Sequence, residues 1–247
     1  MAEESSDHNS IQNLKGVGPK SAASLNNLGI FTIPDAAFHL PFRYEDRSFI
    51  TSISEASYQT PVLIEGEIMK STVVFRGRRM LFSEIYDGTG RLTMRMFNFA
   101  MAQHKALEEG KMIRCFGTIT PGPNGKQMIH PQYQVFEKDD SIEVEKNLTP
   151  IYPTTSGLQQ NKLKKIIESS LEFCDKNNLL KEESKNKQYS EYGNLLETLK
   201  FLHKPPVETN ISELIEGKHP AQQSLIKEEL IAPVSYTHLT LPTKRIV

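Results

Sequence analysis

The stretch Arg91-Leu92-Thr93-Met94-Arg95-Met96-Phe97-Asn98-Phe99 changes character residue by residue. Side chains of a strand point to opposite faces in turn. One face therefore carries Leu92, Met94 and Met96, and the other Arg91, Thr93, Arg95, Phe97 and Phe99. The aliphatic face belongs in a core. The opposite face offers guanidinium groups and phenyl rings in a row. An unpaired nucleic-acid strand takes such a surface, cations for its phosphates and aromatic planes for its bases. A second reading is open on the same residues, in which Phe97 and Phe99 pack under the following helix as ordinary core.

Upstream, a strand runs from Val62 through Gly66 to about Phe75, and a second spans 80–86. Between them Arg76-Gly77-Arg78-Arg79 reads as a hairpin tip. Gly77 lets the tip approach a backbone closely, and Arg76, Arg78 and Arg79 suit phosphate through paired hydrogen bonds. A plain solvated turn is the alternative. Asp87-Gly88-Thr89-Gly90 is a turn, because glycine supplies positive φ. Downstream, 100–109 holds helix formers, and 112–119 and 128–136 read as strands joined across Pro123-Asn124-Gly125-Lys126. Three strands, a helix and two strands is the order of an OB-fold, a small Greek-key barrel whose second and third strands commonly form the binding face. The predicted class is α+β: a five-stranded OB barrel flanked by N-terminal and C-terminal helical segments.

In the N-terminal flank, 7–28 reads as two short helices around Gly16-Val17-Gly18, with Pro19 in the first turn of the second. This looks like the loop of a helix-hairpin-helix, whose exposed backbone N–H groups at Gly16 and Gly18, with Lys20, would attract a phosphate. A tight packing turn fits the spacing equally. Residues 34–40 suggest another short helix and 40–48 an irregular charged connector. In the C-terminal flank, Ser156-Gly157-Leu158-Gln159 resembles a capping box. It precedes a single stripe of Leu163, Ile166, Ile167, Ser170, Leu171 and Cys174. Residues 182–194 read as a polar loop, and 195–202 and 220–232 as helices. Residues 234–243 lack any period and resemble a translated sequencing adaptor. The expected division is 1–58 helical, 59–140 barrel, 141–232 helical linker and 233–247 a non-native tail.

The 247 residues suffice for one or two cores. Net charge is −1, but 60–135 holds ten Lys and Arg against six Asp and Glu, a net of +4. An acidic run, with five acids in 137–145, follows. Two cysteines exclude a disulfide scaffold and a multi-cysteine zinc site. No apolar run approaches the roughly 20 residues of a membrane helix. Gly16-x-Gly18 lacks a preceding strand and a third glycine, so no dinucleotide site is expected, and no P-loop pattern occurs in the sequence. The histidines, including His130 and His203, lack metal-ligand spacing and read as structural. Glu108-Glu109 and Asp139-Asp140 are neighbours in sequence, not a facing catalytic pair. No catalytic or metal site is expected.

In order along the chain, Leu14-Lys15-Gly16-Val17-Gly18-Pro19-Lys20, Leu40-Pro41-Phe42-Arg43-Tyr44-Glu45-Asp46-Arg47, Asp87-Gly88-Thr89-Gly90, Phe97-Asn98-Phe99 and His130-Pro131 resemble the N-terminal part of the RecG family. Pro150-Ile151-Tyr152-Pro153, Phe201-Leu202-His203-Lys204-Pro205-Pro206 and His219-Pro220-Ala221-Gln222-Gln223 continue the match. This is a family of bacterial ATP-dependent helicases that remodel branched DNA. The resemblance implies that the barrel is the wedge domain, which sits at a fork junction and splits the arriving strands. It implies that Phe97 is the ring that stacks at the branch point; the strand face and the hairpin tip themselves put Arg76, Arg78, Arg79, Arg91 and Arg95 on phosphates. The family's second ring lies four residues on, where this chain has Met101, and Phe99 is the candidate substitute.

The intact family member is an ATP-dependent DNA helicase that uses ATP and magnesium in fork regression, recombination and repair. Motor domains would follow Ala232, so this chain is expected to be an N-terminal fragment, inactive alone and without a cofactor of its own. The implied partners are branched DNA (forks, three-way and four-way junctions) and single-strand-binding protein. A monomer in the bacterial cytoplasm, away from membranes, is expected. Two other functions stay open: a stand-alone OB-fold binder of single-stranded nucleic acid, and an adaptor that docks a partner protein.

Overall fold

The computed structural model describes residues 8–140, 142–180 and 194–231, with backbone alone for Arg76 and 227–231. The expected loop at 182–194, all but Asn194, and the expected tail at 233–247 lie outside the described residues. The chain divides into two units, Met1–Glu45 with Thr149–Val247, and Asp46–Leu148. The two helical flanks, expected as separate segments, therefore contribute to one unit.

That first unit begins with a single 3-10 turn, Ile11–Asn13, and helix α1, Pro19–Asn26. The expected pair of helices around the glycines is thus one helix and a turn. Helix α2, Ile33–Ala37, starts at a reciprocal cap. The Asp35 amide donates to Thr32 Oγ1 at 3.3 Å and the Thr32 amide donates to Asp35 Oδ2 at 2.8 Å. Strand β1, Arg43–Glu45, lies inside the stretch expected to be irregular.

The second unit is built on β2, Pro61–Arg76, a strand of 16 residues. It continues with β3 (Arg78–Tyr86), β4 (Arg91–Phe97), helix α3 (Met101–Ala106), β5 (Met112–Gly122), β6 (Gly125–Ile129) and β7 (Gln132–Phe136). β2 serves two partners. Its first half, Pro61 to Glu67, pairs antiparallel with β5, and Glu67 to Arg76 pairs with β3. The pairings β2–β3, β3–β4, β4–β6, β6–β5 and β5–β2 return to their starting strand, with β7 added on β5. The switch between partners falls at Glu67, next to Gly66. A Cβ at Gly66 would lie 2.7 Å from the Tyr86 carbonyl oxygen, closer than any side chain tolerates. Ile64, Ile68, Leu81, Ile85, Leu92 and Met94 fill the inside.

The sheet has six strands. The segment 128–136, expected as one strand, breaks at His130, which has φ 49. β6 then runs parallel to β4, and β7 antiparallel to β5. The turn at 87–90 is tied by the Asp87 carboxylate, which accepts from the amides of Ile53 (2.6 Å), Thr89 (2.8 Å) and Gly90 (2.9 Å). Partial desolvation pushes the Asp87 carboxyl upward, but these bonds outweigh it and hold the carboxyl below its ordinary value.

The chain then returns to the first unit through β8, Thr149–Ile151, which pairs antiparallel with β1. The helices α4 (Gln160–Lys176), α5 (Leu195–His203), α6 (Ile211–Ile215) and α7 (Pro220–Ile231) follow. The expected stripe of α4 is buried from Leu163 to Cys174. Its expected capping box does not form: the helix starts after Gln159 with no side-chain cap. Gln160 instead clasps Tyr152, accepting from its amide (3.1 Å) and donating to its carbonyl (2.6 Å). Nearby, Tyr152 Oη and His203 Nδ1 are 3.0 Å apart, and His203 Nε2 lies 2.7 Å from the Ala37 carbonyl. Burial pulls the His203 imidazole down to about 4, so it is neutral, donating to Ala37 and accepting from Tyr152.

Candidate nucleic-acid interface

The register of β3 against β4 sets Met80 opposite Phe97, Phe82 opposite Arg95 and Glu84 opposite Thr93. Directly opposite residues of an antiparallel pair share a face. Leu81, Ser83 and Ile85 point inward and are buried. Met80, Phe82 and Glu84 therefore share the outer face with Phe97, Arg95 and Thr93. On that face Phe97 is half-buried and stands outside the core cluster. The Arg78 guanidinium carbon lies 4.0 Å from its ring centroid and that of Arg95 4.8 Å. Arg95 also lies 5.4 Å from the Phe82 ring, and its Nη2 reaches Met80 Sδ at 3.3 Å. Its Nε is buried without a partner.

His130 completes the group, although the sequence suggested a packed strand residue. It is exposed between β6 and β7. Its amide donates to the Arg95 carbonyl at 2.9 Å, and its Nε2 accepts from the Phe97 amide at 3.1 Å. The two rings are 5.3 Å apart and tilted. This hydrogen bond satisfies the last N–H of β4 and fixes where the Phe97 ring leaves the strand. The positive φ that His tolerates better than most residues was the only signal, and it is invisible without the backbone. Phe82 was legible, since strand alternation carries it to the face of Arg95.

Phe99 behaves differently from Phe97. β4 ends at Phe97 and Asn98 takes φ 51, which breaks the alternation. Phe99 packs against the core of its unit, 5.1 Å from the Arg79 guanidinium carbon. Arg79 Nη2 also reaches Met101 Sδ at 2.9 Å. Arg91 is paired with Glu84, so it presents a neutralised couple. No carboxylate among the described residues pairs with Arg78, Arg79 or Arg95. The backbone of Arg76 belongs to β2; its side chain lies outside the described residues.

Gly16, Gly18 and Lys20 belong to the first unit, the arginines and rings to the second. Gly18 is the N-cap of α1 and accepts from the Ser21 and Ala22 amides, each at 2.9 Å. Gly16 takes φ 92. Lys20 is exposed. Pro19 supplies no N–H at the first turn, which leaves fewer donors for an anion there.

Residues 10–174 match the family model described as the RecG wedge domain. The ATP-dependent DNA helicase RecG of Escherichia coli K12 is 38% identical over 225 residues, covering 90% of this chain and 32% of that protein. The Haemophilus influenzae helicase of the same name is also 38% identical, with the same coverage. The chain thus spans about a third of the length of the curated relatives it matches. Among solved structures, RecG bound to a three-way DNA junction aligns with a TM-score of 0.69. It is 24% identical, over 90% of this chain and 30% of that one, and so shares the fold. Among the described residues no helix is long and apolar enough to cross a membrane.

Proposed function

The chain belongs to the RecG wedge-domain family, and from that premise we propose that its second unit is an OB-type barrel that binds branched DNA and holds the junction open. The closed circuit of five strand pairings supports the barrel reading. One observation carries the binding reading: a half-exposed Phe97 ring lies within 5 Å of two guanidinium groups that no carboxylate among the described residues neutralises. An exposed cation–π contact is worth about 0.5–1 kcal/mol. Stacking a base on a ring is worth about 1–3 kcal/mol. A base arriving at the branch therefore displaces Arg78 from Phe97, and the freed guanidinium turns to the adjacent phosphate. Arg95, half-buried beneath, keeps the ring in place.

Opening one base-pair step loses stacking of about 0.6–2.2 kcal/mol, similar to one ring stack. The unit can hold an opened step but cannot drive unwinding over many. Sustained unwinding and fork regression belong, in this proposal, to an ATP-dependent helicase of which this chain is the junction-binding part. ATP and magnesium do not fit the residues present. The sequence has no P-loop to cradle the phosphates of ATP.

Titration of the chain against a three-way junction, a duplex and a single strand of matched length tests the reading. Tightest binding to the junction is expected. Tightest binding to the plain single strand would favour a stand-alone single-strand binder, and salt-insensitive or absent DNA binding would favour a protein adaptor.

A further inference from the structure

The β2–β3 hairpin ends in a tip one residue wide. Arg76 pairs with Arg78, and Gly77, at φ 73, makes the turn. Directly behind it Phe75 pairs with Arg79. The Phe75 side chain is 73% exposed, more than any other large apolar residue described. A lone exposed ring says little; its position says more. The Phe75–Arg79 pair shares a face with the next pair but one, Val73–Leu81, which looks toward the core. Arg78, Met80 and Phe97 occupy the other face. The contacts agree, because Arg78 lies over Phe97, whereas Arg79 lies over Phe99 and reaches Met101. Each face of this narrow prong therefore presents one phenyl ring and one arginine without a carboxylate partner among the described residues.

Resting on the junction-binding reading above, we propose that Phe75 is a second base-stacking residue. The hairpin tip enters the branch as a divider. Phe97 takes a base of one separated strand, and Phe75 takes a base of the other, with Arg79 on its phosphate. Bases stacked on the two faces of one strand layer have that layer between them, so they cannot stay paired with each other.

The test uses the 247-residue chain and three-way junctions carrying 2-aminopurine at the first unpaired base of either strand. Wild type is expected to quench both probes. Phe75→Ala should restore fluorescence on one strand and Phe97→Ala on the other, each with a loss of affinity between about 5-fold and about 150-fold. Equal melting temperatures would show that both variants fold. If Phe75→Ala quenches and binds like wild type while Phe97→Ala does not, the divider is wrong and the junction-binding reading stands. If both substitutions act on the same strand, the two-sided assignment is wrong. If neither changes anything, both readings fail.

Discussion

The Arg78 guanidinium carbon lies 4.0 Å from the centre of the Phe97 ring, although the two residues sit on different strands, 19 positions apart. Arg78 and Met80, two apart on β3, share a face, and Met80 faces Phe97 in register. The hairpin tip and the third strand of the sheet are therefore one surface.

If the tip grips phosphate, removing its cations reduces the number of counterions released on binding. The double substitution Arg78→Ala with Arg79→Ala should lower the slope of log affinity against log salt by about 1.4–1.8. Anisotropy titrations from 50 to 200 mM salt read the slope directly. An unchanged slope places phosphate contact elsewhere.

His130 touches Phe97 twice, by hydrogen bond and by ring contact. His130→Ala leaves the Phe97 amide without that acceptor and the ring without its brace. Junction affinity should fall by about 3- to 10-fold, the scale of one hydrogen bond, while the melting temperature changes by no more than a few degrees. Full retention of junction affinity would show that the brace is incidental.

Gly66 has no room for a methyl group, with the Tyr86 carbonyl oxygen at 2.7 Å and Ile85 Cγ2 at 2.8 Å. Gly66→Ala should cost about 1–3 kcal/mol through overpacking beside Glu67, where β2 changes partner. Urea unfolding measures this, and a variant as stable as wild type would mean that β2 and β3 do not meet there.

Much of the fold was legible locally. The two faces of β4 follow from alternation between Leu92 and Phe97, and the α4 stripe from a helical period. What escaped was non-local or hidden in the backbone. β1 pairs with β8, more than 100 residues away, and nothing in Arg43-Tyr44-Glu45 alone announces a strand. Asn98 at φ 51 ends the alternation that put Phe99 beside Phe97, and His130 at φ 49 splits one expected strand into two. Side-chain spacing cannot register a change of sign in φ. Arg91 looked like a cation for phosphate until the register brought Glu84 within reach.

The buried His203 should make the first unit sensitive to acid. Burial lowers its imidazole from the ordinary 6.5 to about 4, and burial also lowers that of His39. The unfolded chain takes up these protons as pH falls through 6.5, and the folded chain resists, at His203 until about 4. Stability is therefore complete above pH 7 and declines between 6.5 and 4, by about 3 kcal/mol for His203. Unfolding free energies at pH 7 and pH 4.5 check this, and His203→Gln should flatten the decline. Equal slopes for variant and wild type would mean that His203 is accessible to protons in the folded chain.

Phe97→Ala, titrated against a three-way junction and against a duplex of equal length and charge, isolates stacking from phosphate binding. Junction affinity should drop by about 1–3 kcal/mol, with duplex affinity nearly unchanged. An equal loss on both DNAs, or none on the junction, would contradict a stacking role for the Phe97 ring at the branch.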